Sequence, residues 1–218
     1  SCGGAPGAAD DVTINGAIGT TVSIPAGVLA QAHNVVITQG DIRGDGELRV
    51  NDLTLQTPVN AAQAMLFDGV LTVAGVWRLI GGWANIGHTV AAAVEMTGTA
   101  SIQVNSGAVL TVTQSLKKYG GSLIALSSQG VRIAAGAIAT VQSLHPDDNP
   151  NDNLLNVRND GALTILTGSK RAVANNVVNY GDLYVHGSDS VRPVVDFLKN
   201  HGNAVFDGPV DFGSPGIA

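Results

Sequence analysis

The stretch richest in groups that could do chemistry is His145-Pro146-Asp147-Asp148-Asn149-Pro150-Asn151-Asp152-Asn153. Its carboxylates, Asp147, Asp148 and Asp152, lie among three asparagines and offer hard oxygen ligands of the kind that suit calcium. The spacing is not that of an EF-hand, whose ligands alternate around a central glycine. Two prolines and a run of turn formers also read as a plain solvated loop. Carbohydrate cleavage needs a different arrangement. Two carboxylates must face each other across a groove, one as acid and the other as base or nucleophile. Asp45, Asp68, Asp160 and Asp182 each stand beside a glycine, where an aspartate equally serves as a turn residue bonded to its own backbone. A lyase would add a basic residue near a calcium site, and Arg158 is the one close to the acidic loop.

Both tryptophans fall within Trp77-Arg78-Leu79-Ile80-Gly81-Gly82-Trp83-Ala84-Asn85-Ile86-Gly87-His88. Trp and Arg are enriched at binding hot spots, so Trp77, Arg78, Trp83 and His88 are the candidate partner-contact residues. Alternatively, the rings cover the side of the fold. Arg43-Gly44-Asp45 has the form of an integrin ligand, but it coincides with a turn of the repeat described below. His33, His88, His145, His186 and His201 have no zinc-ligand spacing. Gly81-Gly82 lacks the Lys-Ser/Thr of a phosphate loop. Cys2, the single cysteine, has no internal disulfide partner and no evident base to make it a nucleophile.

Composition narrows the classes. The chain has 218 residues, enough for one domain with a full core. It is 44% hydrophobic yet only 4% aromatic, so its apolar mass is small and aliphatic. Charged residues make up 13%, about half the usual share. The net charge is −6 and the closest approaches to a basic cluster are Lys117-Lys118 and Lys170-Arg171, which argues against nucleic-acid binding. No apolar run approaches the roughly 18 residues of a membrane span, and no signal-peptide core is evident. Ser1-Cys2-Gly3-Gly4 fits a chain that has lost its initiator Met. It also fits a lipoprotein cleavage site, although there the mature chain begins at Cys.

The elements that must position these groups are short strands. Asn159-Asp160-Gly161-Ala162-Leu163-Thr164-Ile165 reads as a polar turn followed by alternating apolar residues. Asn105-Ser106-Gly107-Ala108-Val109-Leu110-Thr111-Val112 and Asn179-Tyr180-Gly181-Asp182-Leu183-Tyr184-Val185 repeat it, with looser copies at 44–50, 67–73 and 135–141. Turn glycines recur mostly at intervals of roughly 20 to 30 residues, the range of solenoid repeats. The gap from Gly69 to Gly107 leaves room for an additional half-coil around Gly98. One coil of short strands cannot bury its own inward face, whereas stacked coils can. Glycine and asparagine would supply positive φ at the corners. An antiparallel sandwich also uses many short strands and remains the alternative. Helical spacing is convincing nowhere: residues 26–32 could make one or two helical turns, and 191–200 is the best candidate, which Pro193 allows only as a first turn.

These phrases resemble those of right-handed parallel β-helix proteins over residues 35 to 212. That superfamily includes phage tailspikes and virion decoration proteins, surface adhesins and pectate-lyase-like enzymes. The fold expected is an all-β, single-stranded right-handed parallel β-helix, with a flexible arm at 1–9, strands and a cap at 10–34, the solenoid at 35–207 and an extended tail at 208–218. The resemblance implies a virion-surface or extracellular structural protein. It would be homo-oligomeric, with a trimer as the form common among virion proteins, and would dock on a scaffold. A polysaccharide lyase or hydrolase and a lipid-anchored adhesin are the alternatives. No cofactor is expected beyond the calcium that Asp147, Asp148 and Asp152 could hold.

Overall fold

The computed structural model describes residues 6–17, 19–56, 64–142, 153–168 and 171–213, and every regular element among them is a β-strand. Each strand pairs in parallel with residues one coil away in sequence. Leu53 lies beside Trp77, Trp77 beside Val94, and Val94 beside Leu116. Nine such steps carry this row from Val12 to Ala204. Along this row the coils run from 17 residues (Trp77 to Val94) to 24 (Leu53 to Trp77), and on face III the step from Leu123 to Leu154 spans 31. The result is a right-handed parallel β-solenoid.

Each coil has three faces. Face I holds 47–50, 70–73, 110–112, 131–133 and their equivalents. Face II holds 53–55, 77–79, 93–96, 162–166 and 182–186. Face III holds 42–44, 65–67, 84–86, 102–104 and 123–125. Alternate residues point inward, as the two-residue period of a strand requires. One inward row of face II reads Ile37, Leu55, Leu79, Met96, Lys118, Val141, Ile165, Val185. All are buried, including Lys118. Each aliphatic member contributes about 1.5–3 kcal/mol on burial.

The corners explain the glycines, and not wholly as expected. Gly107 (φ 78°) and Gly136 (φ 82°) do take the left-handed conformation. Gly69 and Gly181 do not. There a Cβ would lie 1.9 Å from the Gly46 carbonyl oxygen and 2.0 Å from that of Gly161. These glycines exist because the backbone of one coil rests on the next. The turn-plus-strand phrase also has two homes. Gly107 precedes a face I strand, whereas Gly161 and Gly181 precede face II strands.

Four expectations are corrected. The segment 26–32 is not helical: a turn at Ala26 and Gly27 leads into the strand Leu29–Gln39. The helix candidate 191–200 is the strand Val194–Asn200, bent by Phe197 at φ 50°. That corner shifts the inward phase, so buried Val194, Val195 and Leu198 imitate helical spacing. Between Gly69 and Gly107 lies a complete coil start rather than a half-coil. Gly87 packs against the backbone of Asp68 as Gly69 packs against that of Gly46. Finally, Trp77 is not a projecting anchor. It points inward from face II and is wholly buried, between Leu53 and Val94.

Trp77 is the largest fully buried side chain, in a column of smaller aliphatic ones. Trp77→Ala is expected to destabilise the protein by about 3–5 kcal/mol through the cavity it leaves. The midpoint of urea unfolding measures this, and a change below about 1 kcal/mol would contradict the packing described.

Candidate functional site

The densest polar arrangement surrounds the corner from face I to face II in the C-terminal coils. Parallel pairing places Arg132 beside Arg158 on the outside of face I. Both reach the turn carboxylate of Asp160, Arg132 Nε at 2.8 Å and Arg158 Nε at 3.0 Å. Partial burial opposes ionisation of Asp160, but the hydrogen bonds and charges of Arg158 and Arg132 together outweigh it and hold the carboxyl below its ordinary value. The hydrogen bond to Asp160 likewise raises the pKa of Arg158. The Arg158 guanidinium lies over the Tyr180 ring at 4.7 Å, and Tyr180 stacks on His201 at 4.8 Å.

Inside the same corner runs a ladder of amides. Asn159 Nδ2 donates to Asn179 Oδ1 at 2.7 Å, and Asn179 Nδ2 donates to Asn200 Oδ1 at 2.7 Å. The same amides donate to backbone oxygens of the following turns, Asn159 to Asp182 and Asn179 to Asn203, both at 2.9 Å. Asn159 and Asn179 are buried, and they continue the inward row that holds Val112 and Ile133 in earlier coils. Only side chains that both donate and accept can replace aliphatics there without stranding polar groups. A second pair, Asn156 and Asn176, occupies the preceding corner at φ 62° and 54° and is hydrogen-bonded across coils.

Face II carries an open hollow of about 730 Å³, lined among others by Thr164, Asp182, Tyr184, Asn203 and Val205. Tyr184 Oη donates to Asp207 at 2.9 Å, and His186 Nδ1 lies 3.0 Å from the same carboxylate. The tyrosine bond is the main cause lowering the pKa of Asp207, and the same bond raises that of Tyr184.

The sequence candidates are scattered. Asp160 is held by two arginines at the corner, whereas Asp182 opens a face II strand and accepts from Asn203 Nδ2 at 2.9 Å. Asp68 accepts from Asn105, and Asp45 is exposed at a different corner. Arg158 is engaged with Asp160 and Tyr180. Arg78 is outward on face II and pairs with Glu95 at 3.2 Å. Trp83 is half-buried on the outside of face III, and His88 is exposed at the next corner. With Trp77 inside, these four form no common patch. In Arg43-Gly44-Asp45, the arginine is tied to Asp41 at 2.6 Å and Gly44 belongs to a strand. Asp147, Asp148, Asp152 and Cys2 lie outside the described residues. Among the described residues, no group of three or more His, Cys, Asp or Glu is placed to hold a metal ion.

The amide ladder was the feature that sequence reasoning missed. Its signal was present as Asn-x-Gly at 159–161, 179–181 and 200–202, but an asparagine before a turn reads first as a turn residue. Comparison with known proteins finds no matching family model, no matching curated protein and no matching solved structure. Among the described residues, no helix is long and apolar enough to cross a membrane.

Asn179→Ala is expected to lower stability by about 1–3 kcal/mol, because it leaves the Asn159 amide and the Asn200 carbonyl oxygen without their partner. Denaturant unfolding measures this, and an unchanged midpoint would contradict the ladder. Asp160 gives a pH test. Its folded pKa lies below its unfolded one, so its pairing stabilises fully above the ordinary carboxylate range. That stability is lost as the pH falls through the lowered folded value. Asp160→Asn is expected to lower the unfolding midpoint at neutral pH and to converge with the parent protein in acid. A constant difference across the pH range would contradict the assignment.

Proposed function

We propose that this chain is a non-enzymatic structural β-solenoid. It is a stiff, weakly charged rod that assembles with copies of itself and docks on a larger particle, as a virion decoration or fibre-like component would. The observation that carries this reading is how the acidic groups are used. Asp41, Glu95 and Asp160 are held in ion pairs, Asp52 accepts the backbone N–H of Val76 at 2.6 Å, and Asp182 is bonded to Asn203 of the next coil. All but the Asp41 pair, which lies within one strand, tie one coil to another, and carboxylates fixed in this way are poorly placed to exchange protons with a substrate. A stack paired coil upon coil also makes a natural spacer.

A second reading rests on the face II hollow. An exposed tyrosine ring beside hydroxyl, amide and carboxylate groups suits a sugar, so a polysaccharide-binding or polysaccharide-cleaving role is the alternative. Light scattering of the native protein, alongside protein lacking residues 1–9, separates the two. The structural role predicts an oligomer that persists on dilution and loosens on truncation. Monomers in both cases, together with cleavage of an acidic polysaccharide, would replace it with the enzymatic role.

A further inference from the structure

The two ends of the solenoid are complementary. At the C-terminal end the last strands of all three faces, 198–200, Asn203–Asp207 and Asp211–Phe212, have no described neighbour beyond them. Phe206 and Phe212 continue inward rows, pack edge to face at 5.1 Å, and are still 38% and 46% exposed. At the N-terminal end the first strands, Asp11–Asn15, Thr21–Ser23 and residues 29–32, occupy faces II, III and I in turn. Between them lies an apolar hollow of about 280 Å³, lined among others by Val12, Ile14, Val22, Val28, Leu29 and Ala30. Val22 and Leu29 there are 40% and 46% exposed. One end thus projects rings, and the other presents an apolar socket.

The strands also match in face, length and side chain. Asn203–Asp207 and Asp11–Asn15 are both face II strands of five residues. Continuing the parallel register places Asp11 on Asn203, Val12 on Ala204, Ile14 on Phe206 and Asn15 on Asp207. The first of these repeats a pairing used twice within the chain, where Asn34 Nδ2 donates to Asp11 at 2.8 Å and Asn203 Nδ2 to Asp182 at 2.9 Å. On face III, Val22 falls on Phe212, and on face I, Ala30 falls on Leu198. Both rims carry mixed polar groups, with exposed Asp10, Asp11 and His33 at one end and exposed Lys199, His201 and Asp207 at the other.

We infer that the chain stacks head to tail, the C-terminal coil of one copy seating on the N-terminal coil of a second and extending the parallel ladder across the junction. This deepens the structural reading above and rests on it. Such a contact is heterologous, joining two different patches, and because it adds copies along the solenoid axis it does not close into a ring and builds a filament. It also covers open strand edges that would otherwise be free to pair with any strand.

The test uses the full chain across a dilution series in sedimentation velocity. Wild-type protein is expected to give a ladder of integer masses that grows with concentration. Val22→Asp blocks the socket and Phe212→Asp blocks the projecting end. Each alone is expected to lose the ladder, weakening association by at least about tenfold. Mixed one to one, they are expected to form a dimer and stop, since each retains one working end. Circular dichroism and thermal unfolding confirm that the variants fold. Should either fail to fold, Leu29→Asp at the exposed socket rim supplies the readout, with the same weakening expected from a charge set against the last coil. A closed trimer indifferent to all three substitutions would overturn head-to-tail stacking and leave the structural reading intact. A monomer at every concentration would overturn stacking, and with polysaccharide cleavage would overturn both.

Discussion

No coil of this protein can bury its own inward face; only the coil above and the coil below can do so. Everything else depends on that constraint. It requires parallel pairing between residues 17 to 31 apart, because that is one circuit of the coil. It makes the core a set of narrow columns and favours small aliphatics over rings, since each side chain must fit beneath its equivalent one coil on. Trp77 is admitted in a column whose immediate neighbours, Leu53 and Val94, are smaller. It also sets the glycines, since at Gly69 and Gly181 a Cβ would strike the carbonyl of the neighbouring coil.

The same stacking turns polar residues into structure. Along one inward row the sequence changes from Val112 and Ile133 to Asn159, Asn179 and Asn200, and the apolar column becomes a hydrogen-bonded one. Asn159 heads the ladder beneath Ile133, and its Oδ1 is buried without a partner among the described residues. Such an atom carries a desolvation cost, which the two amide links and their backbone bonds offset. Outside the corner, Arg132, Arg158 and Asp160 repeat the theme with charge, and Tyr180 and His201 with stacked rings. An array of identical spacings serves a rod well, because each cross-coil bond opposes slippage of the register.

The functional proposals follow from where the repetition ends. In the middle of the rod every inward side chain is covered and each strand has neighbours on both sides. At the two ends the described strands have a neighbour on one side only, and apolar groups are exposed there: Val22, Val28 and Leu29 at one end, Phe206 and Phe212 at the other. In a solenoid the unpaired strand edges are confined to the two ends. The polar hollow on face II is of a different kind, made of side chains already bonded to one another, such as Tyr184 with Asp207.

The sequence by itself determined an all-β chain of short strands and favoured stacked coils over an antiparallel sandwich. The recurring polar turn and alternating strand, the scarcity of rings and the turn glycines at coil-length intervals all point that way, and these are local properties legible in order along the chain. What it could not determine was phase. Whether a residue points in or out depends on which corner precedes it, and corners such as Phe197 shift the phase by a residue without changing the composition around them. Trp77 and Arg78 are neighbours in sequence, yet one lies in the core and the other in a surface ion pair. Asn159 and Asn105 stand in the same phrase, yet one heads a buried ladder and the other bonds Asp68 at a different corner. Only the tertiary structure decided these roles. The partner that fixes each of them, Asn179 for Asn159, Glu95 for Arg78 and Asp68 for Asn105, is supplied by another coil, 17 or more residues away along the chain.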